Sequence, residues 1–334
     1  MAVKLDQKDL TILYELDRNA RQPLSAVAKK AALSREAVLY RLRRYRNDGL
    51  IRNYLTVVDM AKLGFTHAKV YVKLHNATQA DEEAFIAYLV SNPFIAWVAS
   101  CDGGYSLVYG TKFRSMIELN RILSGIRSRF WRIIKHEDIA TIIDAHHFYR
   151  DYLVGARGST ERQIAWGGAP APITLDDADT LVLDALCADP RIPAVEIAKR
   201  IGLSADAAIK RIRAMEQKQL ITHYLLWPDV AKLRGIYYKV LVTLNSASAA
   251  RLNGLVAYCF DHPDIVYAVN CLGQWQFEMD VEVADVQEFR ALMRDFLARF
   301  SGIVSDYSAL NVYEEHKFRF FEKECMEPEN GKPV

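Results

Sequence analysis

The sequence repeats itself at a constant offset of 170 residues, with no gaps needed. Leu5-Asp6 returns as Leu175-Asp176, Arg21 and Pro23 as Arg191 and Pro193, and Leu33-Ser34 as Leu203-Ser204. Arg41, Arg43 and Ile51 return as Arg211, Arg213 and Ile221, and Ala61-Lys62-Leu63 as Ala231-Lys232-Leu233. The register still holds at Cys101 and Cys271, Gly103 and Gly273, Phe130 and Phe300, and His146 and His316. A register kept over that length means a duplicated unit, so whatever the first half folds into the second must also adopt.

Each half begins with helical spacing and then changes period. Asp6 to Leu16, Leu24 to Ala32 and Leu33 to Ile51 read as three short helices, the last capped by Ser34 and stopped by Gly49. On that last helix Val38, Leu42 and Tyr45 share one stripe, while Tyr40, Arg43 and Arg44 face away with Arg41 at the margin. This is the helix-turn-helix arrangement, whose last helix enters the major groove of DNA. Residues 1 to 52 hold twelve Lys and Arg against six Asp and Glu, a local +6 in a chain of net charge +2. Local positive charge on such a helix points to phosphates. Residues 171 to 222 hold seven against eight, so the first unit is expected to dominate DNA affinity. Gln219 in place of Gly49 predicts a less tightly specified turn there.

After the third helix, alternation and helical periods give a β-α-β-β-α-β order: a strand at 68–74, a helix at 79–91, strands at 94–100 and 105–110, a helix at 113–130 and a strand within 133–143. The second half repeats it from Tyr238 to Val312. The fold class is therefore α+β, with two repeats of a winged helix-turn-helix followed by a ferredoxin-like β-α-β-β-α-β domain. The expected domains are 1–55 (first helix-turn-helix), 56–148 (first ferredoxin-like), 149–174 (a Gly- and Pro-rich linker), 175–225 (second helix-turn-helix), 226–321 (second ferredoxin-like) and 322–334 (tail). A sheet with helices on one face leaves its other face to be covered. Val70, Val72 and Leu74, with Val240, Val242 and Leu244, are the candidates on the first strands.

Several functions lack a starting point. No apolar run is long enough to span a membrane, and a cytoplasmic location is expected. The five cysteines include no C-x-x-C pair, and Cys101 and Cys271 read as core thiols. The histidines form no metal-binding pattern, no nucleophile triad or phosphate loop appears, and no cofactor or catalytic residue is expected.

The opening L-D-x-x-D of Leu5, Asp6 and Asp9, the L-S-x-x-x-V-x-x-R-L of Leu33, Ser34, Val38, Arg41 and Leu42, the G-L-I of Gly49, Leu50 and Ile51, and the domain that follows together resemble the Lrp/AsnC family of transcription regulators. The resemblance covers both halves. It implies a regulator of double-stranded DNA whose ferredoxin-like domains assemble as a homodimer or higher oligomer and often bind a small effector such as an amino acid between subunits. The DNA-contacting candidates are Ser34, Arg35, Tyr40, Arg41, Arg43 and Arg44, with Lys210, Arg211 and Arg213 in the second unit. In the family the loop between the middle strands commonly carries an acidic residue after an aromatic one, whereas here Ser106 and Gln276 stand there. Two readings stay open for Asp102, Gly103, Gly104, Ser106, Gly273 and Gln276: an effector contact, or a tight turn joining two strands. Siroheme decarboxylases are built from similar units. That alternative, a tetrapyrrole enzyme, has only His146, His147 and His316 as candidates.

Overall fold

A computed structural model describes residues 4–155, 163–168, 172–245 and 249–326. Its helix-turn-helix units are set by their caps. Asp6 caps α1 (Gln7–Arg18) in a reciprocal box with Asp9, and after α2 (Leu24–Lys30) the Ser34 hydroxyl accepts from the Ala37 amide, 3.1 Å away, to start α3 (Arg35–Asn47). The second unit repeats this with α6 (Asp177–Ala188), α7 (Ala194–Ile201) and α8 (Ala205–Gln217), capped by Asp176, Pro193 and Ser204.

The turn after α8 is as sharply specified as the one after α3, contrary to the expectation from Gln219. Gly49 has φ +65° and Gln219 has φ +55°, the same left-handed conformation, because the following strand needs the same exit direction. A side chain there opposes the backbone sterics that glycine escapes. Gln219→Gly should therefore stabilise the protein by about 0.5–1 kcal/mol, measured by urea unfolding; a loss of stability would contradict this reading of the turn.

Neither unit builds a wing of its own. β1 (Ile51–Val58) pairs antiparallel with β7 (Ile221–Pro228), so the strand leaving each recognition helix joins its counterpart from the other half. Arg21 donates to the carbonyls of Pro190 (2.6 Å) and Ile192 (2.9 Å), and Arg191 donates back to that of Ala20. The two heads are thus clamped by reciprocal contacts at the repeat offset.

Below them lie β2 (Thr66–Leu74), α4 (Gln79–Ser91), β3 (Ile95–Asp102), β4 (Leu107–Phe113), α5 (Met116–Phe130) and β5 (Ile134–Phe148). Their counterparts, after the short α9 (Val230–Leu233), are β8 (Ile236–Leu244), α10 (Ala249–Asp261), β9 (Ile265–Leu272), β10 (Phe277–Val283), α11 (Val286–Arg299) and β11 (Val304–Phe318). The strand order is β2-β4-β3-β11-β8-β10-β9-β5, and β5 also pairs with β2. All these pairings are antiparallel, and the two four-stranded sheets close edge to edge into one eight-stranded barrel. The sheet face that each half leaves uncovered is closed over by the other half of the same chain.

The inner faces differ from the expectation. Val70, Val72, Val240 and Val242 are buried against the helices, in cores with Phe85, Leu89 and Ile126 or with Leu255 and Phe296. The alternate residues point into the barrel, and these include charged side chains: Lys69, Lys239, Glu278, Asp280 and Glu282. With a period of two, assigning the valines to the helix side forces their neighbours inward.

Two further boundaries shift. Within 149–174, a 3₁₀ turn (Asp151–Leu153) and β6 (Gln163–Gly167), which pairs with β5, are ordered structure rather than free linker; residues 156–162 and 169–171 lie outside the described residues. The expected tail starts as structure too, because Cys325 is fully buried and its carbonyl accepts from Arg114 at 3.1 Å; residues 327–334 lie outside the described residues.

Candidate nucleic-acid interface

Helix α3 buries Val38, Leu42 and Tyr45 and presents Ser34, Arg35, Tyr40, Arg43 and Arg46 to solvent. Tyr40 is 69% exposed, a large apolar ring held out from the surface. Arg35 and Arg43 form no ion pair among the described residues, so both cations are available to phosphates.

Arg41 and Arg44 are placed differently. Asp9 of α1, almost fully buried, accepts hydrogen bonds from Arg41, from Arg44 (2.9 Å) and from the Tyr45 hydroxyl, while Arg41 also donates to Asp6 at 2.8 Å. Burial, the largest influence on Asp9, pushes its pKa up, but the bonds from Tyr45, the Asp6 amide and Arg41 outweigh it and hold the carboxyl below its ordinary value. Arg41 thus fastens α3 to α1, and Arg44 shares its charge with the same carboxylate. The 3.6-residue period told which way these side chains leave the helix but not that an acid of another helix stands beside them. Arg46, outside the candidate set, is exposed, with its guanidinium 5.5 Å from the centre of the Tyr54 ring. Its place three residues after Arg43, on the neighbouring turn, was the available signal.

On α8, Lys210 and Arg213 are exposed, whereas Arg211 donates to Asp176 (2.8 Å) and Asp179 (2.6 Å) as Arg41 does to Asp6 and Asp9. Asp206 is exposed on the same helix. The second head therefore offers fewer free cations than the first.

Residues 5–46 and 175–216 both match the AsnC-type helix-turn-helix domain. The proline dehydrogenase transcriptional activator of Rhodobacter capsulatus is 32% identical over 145 residues, which are 42% of this chain and 94% of that protein. The chain belongs to the Lrp/AsnC family of transcription regulators. The glutamate uptake regulatory protein of Zymomonas mobilis is 27% identical over 43% of this chain and 87% of its own length. The crystal structure of a siroheme decarboxylase superposes with a TM-score of 0.60 over 95% of this chain and 94% of that one, at 12% identity, which shows a shared duplicated fold.

In this Lrp/AsnC protein the two loops considered for an effector are occupied by the barrel's own backbone. The Ser106 hydroxyl accepts from the Leu74 amide (3.2 Å), and the Gln276 side-chain oxygen accepts from the Leu244 amide (3.0 Å), the same bond at the repeat offset. A side chain at Gly103 would stand 3.2 Å from the Ala309 carbonyl, and one at Gly273 2.8 Å from that of Ile139, so both loops press against the other half's last strand.

A cavity of about 90 Å³ lies between the β1–β7 ribbon and the barrel, lined by repeat-related pairs such as Leu55 and Leu225, His67 and Tyr237, and Trp97 and Tyr267. His67 is buried there, and burial, reinforced by Lys112 and Lys69, pushes its pKa down to about 3, so the ring is neutral. His67 Nε2, Trp166 Nε1 and the Tyr267 hydroxyl have no partner among the described residues. A second cleft of about 370 Å³ runs between Arg52, Asp229, Tyr313 and Glu314. None of Asp102, Gly103, Gly104, Ser106, Gly273 and Gln276 lines either space.

The three candidate histidines answer to different neighbours: His146 Nε2 to Asp144 (3.0 Å), the His147 ring to Tyr267 (4.6 Å between centroids), and His316 Nε2 to the Ser100 hydroxyl (2.8 Å). Among the described residues no group of three or more His, Cys, Asp or Glu could hold a metal ion, and no helix is long and apolar enough to cross a membrane. All five cysteines are buried free thiols, and burial pushes Cys101 up to about 12, which suits core packing rather than redox exchange.

Proposed function

We propose that this Lrp/AsnC chain is a sequence-specific DNA-binding transcription regulator whose first helix-turn-helix carries most of the affinity. The observation that supports this most is the solvent-facing side of α3, on which Arg35, Arg43 and Arg46 are exposed along with Tyr40. The matching positions on α8 are Ala205, Arg213 and Glu216 around Lys210. Phosphate contacts dominate affinity, so a difference in free cations becomes a difference in binding. The ferredoxin-like barrel holds the two heads, and catalysis is no part of the reading.

The experiment is a salt titration of DNA binding. Each phosphate contact contributes about −0.9 to the slope of log K against log salt, so Arg43→Ala with Arg46→Ala should flatten it by roughly two units. Arg44→Ala should change the slope less, because Arg44 already shares its charge with Asp9. An unchanged slope in the double variant would remove Arg43 and Arg46 from the interface. The tetrapyrrole alternative draws on the shared fold; the cavity under the ribbon, at about 90 Å³, is well short of the ~300 Å³ from which pockets for small organic ligands start, so the space left for it is the cleft of about 370 Å³ beside Arg52, Asp229 and Tyr313. Visible absorbance of the purified protein, and its response to added tetrapyrrole, distinguishes the two readings.

A further inference from the structure

The two halves share one backbone plan but carry opposite charge into the barrel they build together. On β4, positions 108, 110 and 112 point inward and are Val108, Gly110 and Lys112; the matching positions on β10 are Glu278, Asp280 and Glu282. Lys239 of the same half answers one of these acids closely, Asp280 at 2.5 Å, and stands 3.8 Å from Glu278. The other two are taken across the interface: Lys69 to Glu278 at 2.6 Å and Arg150 to Glu282 at 2.8 Å, with Arg150 also bonded to Asp17 of its own half at 2.6 Å. All of these groups are buried except Lys69, whose side chain keeps 12% of its surface exposed. Burial pushes the Glu278 pKa up, but Lys69 and Lys239 outweigh it and hold the carboxyl at about 2, so the group is charged inside the protein.

Self-pairing on the same geometry meets like charge. Two first halves would set Lys69 against Val108 and Arg150 against Lys112, leaving Lys69 without an acid and Arg150 with Asp17 alone. Asp138, the other buried inward acid of that half, accepts from Tyr105 and pairs with His136 of its own half, and it also accepts from Gln274 of the second half. Two second halves would bring together Glu278, Asp280 and Glu282 twice over, with Lys239 alone in each half to answer them and Phe320 where Arg150 stands. Glu315, also buried and held by Trp97 and Trp227, adds to that acid surplus. Stranding a buried ion costs far more than a matched pair returns.

We infer that these interior charges are a pairing code: the first half's barrel surface fits a second half and rejects another first half, so every closed unit carries one of each. The consequence for DNA, which rests on the function proposed above, is that each unit presents one strongly basic and one weakly basic reading helix. Such a unit is matched to an asymmetric site rather than to a palindrome. The pairing rule itself holds without that reading, and its test uses no DNA.

The full chain, given a protease site within residues 156–162 and a different tag at each end, is folded, cleaved, dissociated in denaturant, diluted to refold, and weighed by native mass spectrometry. The code predicts first–second pairs in more than about tenfold excess over like pairs, given the cost of stranded buried ions. Lys69→Met, Lys112→Met and Arg150→Met together should then let first–first pairs appear while second–second pairs stay absent. A statistical mixture of like and unlike pairs from the unmodified chain, an unchanged pattern in the triple variant, or no first–second pairs at all would overturn the inference.

Discussion

Asp9→Ala should destabilise the chain by about 2–3 kcal/mol, while Asp179→Ala, its repeat counterpart, should cost under about 1 kcal/mol. The two carboxylates stand at equivalent places but in different surroundings. Asp9 is 2% exposed and receives two arginines and a buried tyrosine hydroxyl; Asp179 is 23% exposed and receives Arg211, with Met215 where Tyr45 stands. Removing Asp9 strands the Tyr45 hydroxyl inside the head and frees Arg41 and Arg44 from their shared partner, though both can still reach water. The pH dependence follows from the depressed pKa of Asp9 in the folded state. Its contribution is complete above the unfolded value near ~3.9 and is lost as pH falls through the lower folded value. The stability gap between the natural chain and Asp9→Ala, followed by urea unfolding, should therefore narrow in acid below about pH 4. A constant gap across that range would show that Asp9 acts through packing rather than charge.

Much of the fold was legible because it rests on local signals. Ser34 and Ser204 mark helix starts, and helix α4 spans Gln79–Ser91 as its spacing predicts. Alternation located the strands, though β5 and β11 run on to Phe148 and Phe318, past the stretch where one face is uniformly apolar. The closure of the barrel was not legible, because edge pairing of β3 with β11 and of β5 with β9 depends on which edges meet after folding. Nor was the charged interior: Lys69 and Glu278 are 209 residues apart, and alone each reads as a solvated polar residue of an amphipathic strand. At the nucleic-acid interface, periodicity separated Arg43 from Val38 and Leu42 but could not separate Arg43 from Arg41. Both leave α3 as cations, and only the approach of α1 decides that Arg41 is spent on Asp6 and Asp9. Gln219 shows the opposite limit, where a residue unsuited to a left-handed turn adopts it because both neighbours are fixed by the repeat.

The largest functional effect should come from the outward face of α3, and comparing it with α8 tests most directly the claim that the two heads share the work unequally. Arg35→Ala, Arg43→Ala and Arg46→Ala in one chain should be set against Lys210→Ala and Arg213→Ala in another, all exposed positions whose loss leaves the cores intact. Both variants should unfold at the temperature of the natural chain, which keeps folding out of the comparison. Binding is read by fluorescence anisotropy on a DNA fragment selected by the natural chain, across a series of salt concentrations. The α3 variant should bind roughly tenfold or more weakly and flatten the salt dependence by about two to three units, at about 0.9 for each phosphate no longer neutralised. The α8 variant should stay within about threefold of the natural chain with nearly the same slope. Equal losses in the two variants, or a loss confined to α8, would contradict the account.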